Sequence, residues 1–230
     1  MLNFLNGEKS ERIKGAGCFH FDGNNKTWRE PKKLKHMPNE KFVKFQYAKD
    51  FINSMDIPET GESIYAIVSG SFIFGDILGP IAKKIGGNVT LDICTLSIGQ
   101  ENIDMIDQMF EENLISSVRI IFSDYFYSHE NKTGGLWRYL MEILEKWPDR
   151  YTVSVASVHT KIIMMRSESH NLILSGSANL RSSANVEQFD IQNNQGLYNF
   201  NLDWMDEIHS QFAVNRKPLR SRKNLADIFE

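Results

Sequence analysis

Residues 159–187 concentrate polar side chains that could carry out chemistry among small and apolar neighbours, in HTKIIMMRSESHNLILSGSANLRSSANVE. His159 and Lys161 are separated by one residue. A histidine can attack the phosphorus of a phosphodiester and form a phosphohistidine intermediate. A neighbouring lysine supplies fixed positive charge where the phosphoryl oxygens gain negative charge in the transition state. This pair therefore indicates phosphodiester chemistry.

A second group of polar residues follows the first by about one strand and a turn. Gly176 permits close approach of a neighbouring backbone, and Ser177 and Asn179 share a face of an extended chain. Their hydroxyl and amide could donate to the phosphoryl oxygens that Lys161 contacts. If 185–187 is extended, Asn185 and Glu187 also share a face, and Glu187 could hold the imidazole in its nucleophilic tautomer by accepting its other N–H.

The elements that must position these residues are predicted from hydrophobic periodicity. Residues 1–60 have little periodicity and predict an irregular extension, with one short helix at 41–55. From residue 63 onward, short apolar runs alternate with amphipathic stretches, which predicts parallel βαβ units and then an antiparallel hairpin through 166–171. The predicted strands are 63–69, 88–97, 117–125, 151–157, 159–165 and 171–176, and the predicted helices are 74–86, 99–113, 135–147 and 198–212.

Composition limits the class of protein. A hydrophobic content of 41% and a charged content of 24% over 230 residues are typical of a globular α/β domain. The sequence has neither a long apolar span nor the features of a signal peptide, so we expect a cytoplasmic protein without a membrane partner. The two cysteines, Cys18 and Cys94, and the scattered histidines suggest no metal site.

Charge is unevenly distributed along the chain. Residues 1–50 carry 11 Lys and Arg against 6 Asp and Glu, and residues 216–230 carry 5 against 2, whereas residues 51–215 carry 10 against 21. Both basic ends could contact phosphates electrostatically. The alternative interpretation of these ends is that they are solvated segments that aid solubility.

The order and spacing of the polar residues resemble the phospholipase D superfamily, whose signature is HxK, an Asp five residues after the Lys, and a later GSxN. The correspondence covers His159, Lys161, Gly176, Ser177 and Asn179, with NxE at Asn185 and Glu187. The resemblance implies an α/β fold with a mixed sheet flanked by helices. It divides the chain into an N-terminal extension at 1–60, a phospholipase D-like domain at 61–215 and a basic tail at 216–230.

The resemblance also implies roles. His159 would be the nucleophile, Lys161 and Asn179 would bind phosphate, and Ser177 would support them, with neither a metal nor a cofactor. The family's Asp would fall at position 166, where this chain has an arginine. Arg166 differs in parity from His159, so in an uninterrupted strand it points to the opposite face, and Glu168 or Glu187 could supply the missing carboxylate.

The family chemistry needs two histidines, one to attack and one to protonate the leaving oxygen. Because the chain has a single HxK, the prediction is a twofold symmetric homodimer in which two copies of His159 meet, as single-motif members of the family do. The alternative acid is His129, in a predicted loop at 123–135. The other histidines are assigned surface or packing roles.

The substrate predicted is nucleic acid, with DNA ahead of RNA, because the chain is small, has basic ends and lacks an amphipathic helix that could bind a membrane. An endonuclease is therefore expected. The alternatives are a catalytically degenerate nucleic-acid-binding or regulatory protein, and a phospholipase. Aromatic residues at 125–127 and Trp137 could line an approach groove and stack on bases, although core packing is the alternative for Trp137.

Overall fold

A computed structural model of the chain describes residues 56–68, 72–133, 135–183 and 185–214, together with the strand Glu40–Phe45. Its strands are β1 (Glu40–Phe45), β2 (Ser63–Val68), β3 (Phe72–Ile73), β4 (Val89–Thr95), β5 (Ile115–Ser123), β6 (Tyr151–Ala156), β7 (Ile162–Arg166), β8 (Asn171–Gly176), β9 (Ser182–Ser183) and β10 (Glu187–Asn193). Its helices are α1 (Leu78–Lys84), α2 (Gln100–Glu111), α3 (Asp124–Thr133), α4 (Leu136–Leu144) and α5 (Gln195–Phe212), and a 3-10 turn at Phe74–Ile77 precedes α1.

Eight of these strands form one mixed sheet in the order β1-β2-β10-β8-β7-β4-β5-β6, and β3 pairs with β9 separately. The pairs β1–β2, β4–β5 and β5–β6 are parallel, and the four pairs from β2 to β4 through β10, β8 and β7 are antiparallel. The predicted α/β class, with a mixed sheet flanked by helices, is confirmed, and so is the antiparallel hairpin between β7 and β8.

Helices pack on both faces of the sheet, and successive side chains of a strand point to opposite faces. On β7, Met165 is fully buried in the larger apolar cluster, which includes Leu78, Phe110 and Leu140 of α1, α2 and α4. Its neighbour Met164 is fully buried in the cluster on the other face, which α5 closes. The continuous apolar run Ile162–Met165 of β7 follows from this burial on two faces.

Two predicted elements were wrong, and a third begins later than predicted. The helix predicted at 41–55 begins as strand β1, because Glu40–Phe45 pairs in parallel with β2, and its residues 46–55 lie outside the described residues. The loop predicted at 123–135 is mostly helix α3, since the Ser123 hydroxyl accepts from the Tyr125 N–H at 3.1 Å, as an N-cap does, and Phe126 is buried. The strand predicted at 159–165 begins only at Ile162.

Candidate active site

The residues singled out from the sequence follow or precede strands that meet at one edge of the sheet. Cys94 near the end of β4 pairs with Ile162 at the start of β7. Ile162 pairs with Ser175 near the end of β8, and Gly176 pairs with Phe189 of β10. The carboxyl ends of β4 and β8 and the amino ends of β7 and β10 therefore lie side by side. We call this the site edge.

To connect β6 to β7, the chain must run along the site edge. These strands are three strand spacings apart in the sheet, roughly 14 Å, and the six residue steps from Ala156 to Ile162 can span only about 20 Å. Residues 157–161 therefore pass the carboxyl ends of β5 and β4, after a tight turn in which the Val158 N–H donates to the Ala156 carbonyl oxygen at 2.9 Å. This crossing explains why 159–161 is not strand, and it places His159 at the carboxyl ends of β5 and β4.

His159 and Lys161 take different positions in this crossing segment. His159 is exposed, and its imidazole has no hydrogen-bond partner among the residues that the structure describes. Lys161 is half-buried, and its ammonium donates to the carbonyl oxygen of His159 at 3.1 Å. One N–H of the Lys161 ammonium is thus used within residues 159–161, while two further N–H donors remain for a ligand.

The charge of Lys161 also acts inside the sheet. Burial raises the pKa of the Cys94 thiol to about 12, and the nearby Lys161 ammonium opposes that rise. A small pocket at the site edge is lined by Lys161, Gly176, Ala178 and the end of β4, which includes Thr95. Nothing in the sequence indicated that Thr95, whose hydroxyl donates to the Ser97 carbonyl oxygen at 3.0 Å, would lie at this pocket, because the pocket forms only where β4, β7 and β8 lie side by side.

Gly176 is where two backbones come close together. A Cβ on this residue would lie 2.3 Å from the Gln188 carbonyl oxygen and 2.7 Å from the Phe189 Cβ. The predicted close approach therefore occurs, and the approaching backbone is β10. Both backbone groups of this contact are fixed, because the N–H of Ser177 donates to the Gln188 carbonyl oxygen at 3.0 Å.

Ser177 and Glu187 are joined to each other. The Ser177 hydroxyl donates to the Glu187 carboxylate and accepts from the Gln188 N–H at 3.1 Å. Glu187 begins β10, two strands from β7, which corresponds to roughly 10 Å. Its predicted hydrogen bond to the His159 imidazole is not formed in this arrangement. Asn185 lies in the bend before β10 rather than in extended chain.

Asn179 is held between two buried apolar residues. Ala178 and Leu180 are buried, whereas Ser177 is exposed and Asn179 half-buried, so Ser177 and Asn179 lie on the same side of this segment. The Asn179 Oδ1 is buried without a hydrogen-bond partner. Burying a polar atom unpaired is unfavourable, and such an atom in a native site calls for an explanation. Because Oδ1 is an acceptor, the partner that would satisfy it must be a hydrogen-bond donor.

Arg166 lies away from the site edge. It ends β7, five residues after Lys161, which corresponds to about 17 Å along the strand. Its guanidinium lies 4.6 Å from the ring centroid of Tyr198, on the face that α5 covers. The tyrosine hydroxyl in turn donates to the buried Asp92 carboxylate at 3.1 Å. Where the phospholipase D signature has Asp, this chain thus has an arginine that packs on the α5 face of the sheet, away from the site edge.

The other carboxylates and histidines considered from the sequence lie elsewhere. Glu168 and His170 belong to the turn between β7 and β8, at the edge opposite the site. His129 lies on α3, where it stacks on Tyr125 and its Nδ1 is 3.5 Å from the Glu130 carboxylate. Within the described ranges, no three His, Cys, Asp or Glu side chains gather as a metal site would require. The described helices include none with the length and apolarity needed to cross a membrane.

Comparison with known proteins found no matching family model and no matching curated sequence. Among solved structures, the chain is similar to Nuc, a phospholipase D family member from Salmonella typhimurium, with 14% identity over 66% of this chain and 97% of that one and a TM-score of 0.43. It is similar to NucT from Helicobacter pylori, with 15% identity, coverage of 66% and 99%, and a TM-score of 0.45.

A third similarity is to phosphatidylserine synthase from Haemophilus influenzae Rd KW20, with 16% identity and a TM-score of 0.48. That match covers 72% of this chain but only 44% of the synthase. Identities and TM-scores this low do not assign a family, so the function proposed for the chain rests on its own residues.

Proposed function

We propose that the chain is a metal-independent phosphodiesterase of the phospholipase D type. We further propose that it is an endonuclease that cleaves DNA or RNA through a phosphohistidine. The observation that carries the proposal is that β7 and β8 lie side by side, so the HxK residues before β7 and the GSxN residues after β8 share one sheet edge. Two motifs separated by a hairpin in sequence are thereby neighbours in space, as a single phosphate site requires.

In the first step, a neutral imidazole nitrogen of His159 attacks the phosphorus, forming a P–N bond as the P–O bond to the leaving nucleotide breaks. A protonated imidazole transfers its proton to the departing oxygen. In the second step, that imidazole, now neutral, removes a proton from water, and the resulting oxygen attacks phosphorus. The P–N bond breaks, and His159 is regenerated.

The remaining site residues stabilise charge and hold the geometry. Lys161 would place its ammonium against the phosphoryl oxygens, where negative charge grows in the transition state. The Nδ2 of the half-buried Asn179 would donate to the same oxygens. Glu187 would act through Ser177, to which it is hydrogen-bonded, rather than directly on the imidazole. Gly176 would keep β8 and β10 close enough for that contact.

The acid in this scheme is the second copy of His159 in a homodimer. An exposed His159 at the carboxyl ends of the strands is accessible to a second subunit, which supports this arrangement. His129 is the alternative acid, and it lies six residues past the end of β5 on α3. A mixed dimer separates the two, since one His159→Ala subunit paired with one wild-type subunit loses activity only if both copies of His159 act together.

Nucleic acid is proposed as the substrate, DNA ahead of RNA, because the basic residues of the chain concentrate at 1–50 and 216–230. Lys and Arg that neutralise phosphates release counterions, so binding should weaken steeply as salt rises. A zwitterionic lipid such as phosphatidylcholine, which carries no net charge, would not produce that dependence.

The test uses purified full-length protein with chelator present and compares wild type with His159→Ala and His170→Ala. Wild type should nick plasmid or degrade single strands, and His159→Ala should lose cleavage by at least about 10³-fold because no nucleophile remains. His170→Ala, at the far edge of the sheet, should cleave as wild type does. Cleavage retained in a folded His159→Ala variant would refute the nucleophile. Binding without cleavage across many substrates would favour the degenerate binding protein, and release of phosphatidic acid from phosphatidylcholine would favour the phospholipase.

A further inference from the structure

The aromatic residues that follow β5 differ in exposure. Phe126 is buried, and Tyr127 and Trp137 pack edge to face with their ring centroids 4.7 Å apart. Tyr125 is 70% exposed. Core packing therefore accounts for three of the four rings and leaves the exposed face of Tyr125 unexplained.

Tyr125 is held in place although it is exposed. Its N–H donates to the Ser123 hydroxyl at 3.1 Å, which fixes the first turn of α3. Its ring stacks on His129 one turn later, with a centroid distance of 6.3 Å and an interplanar angle of 24°. The imidazole is itself held by the Glu130 carboxylate, 3.5 Å from Nδ1. Two rings thus present an ordered π surface to solvent, which we call the ring pair.

The ring pair follows β5 at the same end of the strands as the proposed phosphate site. Tyr125 is two residues past the end of β5, and the segment that carries His159 must pass the carboxyl ends of β5 and β4 on its way to β7. The two therefore lie within about two strand spacings, on the order of 10 Å. A base on the nucleotide next to a phosphate held at His159, or on the one after it, could reach this surface.

We propose that the ring pair is a stacking platform for an unpaired base, and that the substrate is single-stranded nucleic acid. This inference rests on the proposed function for the position of the phosphate. Stacking on aromatic side chains suits single strands, because every base offers a π face regardless of sequence. In a duplex those faces are covered by neighbouring base pairs, so only a strand with splayed bases can use the platform.

Binding is measured in a His159→Ala background, which removes turnover, with a short fluorescein-labelled DNA strand alone or annealed to its complement. Tyr125→Ala should weaken binding of the single strand about 5- to 100-fold, the range expected for one lost base stack, and duplex binding should change less than about twofold. Tyr125→Trp should retain binding. Phe200→Ala is the matched control, because Phe200 is 67% exposed on α5, near the opposite edge of the sheet.

Contact is tested directly by photo-cross-linking a strand that carries 5-iodouracil and mapping the adduct by peptide mass spectrometry. An adduct on Tyr125 or His129 is expected. Equal single-strand affinity in Tyr125→Ala and Phe200→Ala, or adducts found only elsewhere, would overturn the platform.

The platform and the proposed nuclease can fail separately. If Tyr125→Ala cleaves as fast as wild type, the platform is rejected and the proposed enzyme is retained. If wild type binds single strands through Tyr125 but never cleaves them, the proposed enzyme is rejected and the platform is retained. If the protein binds neither single strands nor duplex, both are rejected. If Tyr125→Ala instead dissociates a dimer and leaves binding unchanged, the exposed ring belongs to a subunit interface, and the platform is again rejected.

Discussion

His209 is expected to make the stability of the fold depend on pH. It lies on α5 and is only 8% exposed. Its Nδ1 is 2.7 Å from the Ser154 hydroxyl of β6, and its Nε2 is buried without a partner. Burial, and then the charge of Arg119 on β5, lower the pKa of His209 to about 4, while Asp206 on the same helix acts in the opposite direction.

The direction of the effect follows from comparing the folded and unfolded chains. Above pH 6.5, the ordinary pKa of a histidine, His209 is neutral in both states and its contribution to stability is complete. As the pH falls from 6.5 towards 4, the unfolded chain binds a proton that the folded chain does not bind, so stability is lost. The loss is about 1.4 kcal/mol per pH unit, or roughly 3 kcal/mol over the whole interval.

Urea unfolding at about pH 7.5 and about pH 4.5 measures this loss in wild type and in His209→Gln. Because other groups titrate in both proteins, only the difference between them reports on His209. Wild type should lose about 2 to 3 kcal/mol more than His209→Gln between the two pH values. His170→Gln, in the turn between β7 and β8, controls for the removal of a histidine. If wild type and His209→Gln lose stability equally, the imidazole is not held neutral by the fold and the reasoning is wrong.

Two further substitutions test the packing of the site edge and the position of Arg166. Gly176→Ala should reduce the free energy of unfolding by about 1 to 3 kcal/mol, because the new Cβ meets fixed backbone of β10. Gly79→Ala in α1, whose nearest atom is 3.9 Å away, should instead be neutral or stabilising by up to about 1 kcal/mol in the same urea titration, and equal losses would contradict the clash. Arg166→Ala should reduce stability by about 0.5 to 1 kcal/mol through loss of the contact with Tyr198, without changing cleavage per folded molecule. A folded Arg166→Ala variant that no longer cleaves would place Arg166 in the site.

The local sequence pattern was sufficient to predict an element where buried positions recur regularly along it. Strands β4 to β8 were predicted because apolar residues recur in each of them, and in β7 and β8 burial on both faces leaves a continuous apolar run. Strand β10 was not predicted as an element, since its sequence EQFDIQN buries Phe189 and Ile191 but also Asn193, whose amide donates to the Pro58 carbonyl oxygen. A buried Asn looks like a surface residue until its partner is known.

The sequence by itself determined the kinds of side chain at the candidate site and their order, because HxK and GSxN are properties of spacing. The tertiary structure decided which of them become neighbours. Strand β7 lies between β4 and β8, so residues 157–161 must pass the carboxyl ends of β5 and β4 to reach it. It also decided that Phe126 is buried while Tyr125 is exposed, and that Arg166 stacks on Tyr198 behind the sheet. These outcomes depend on contacts between residues far apart in the chain, which no local pattern encodes.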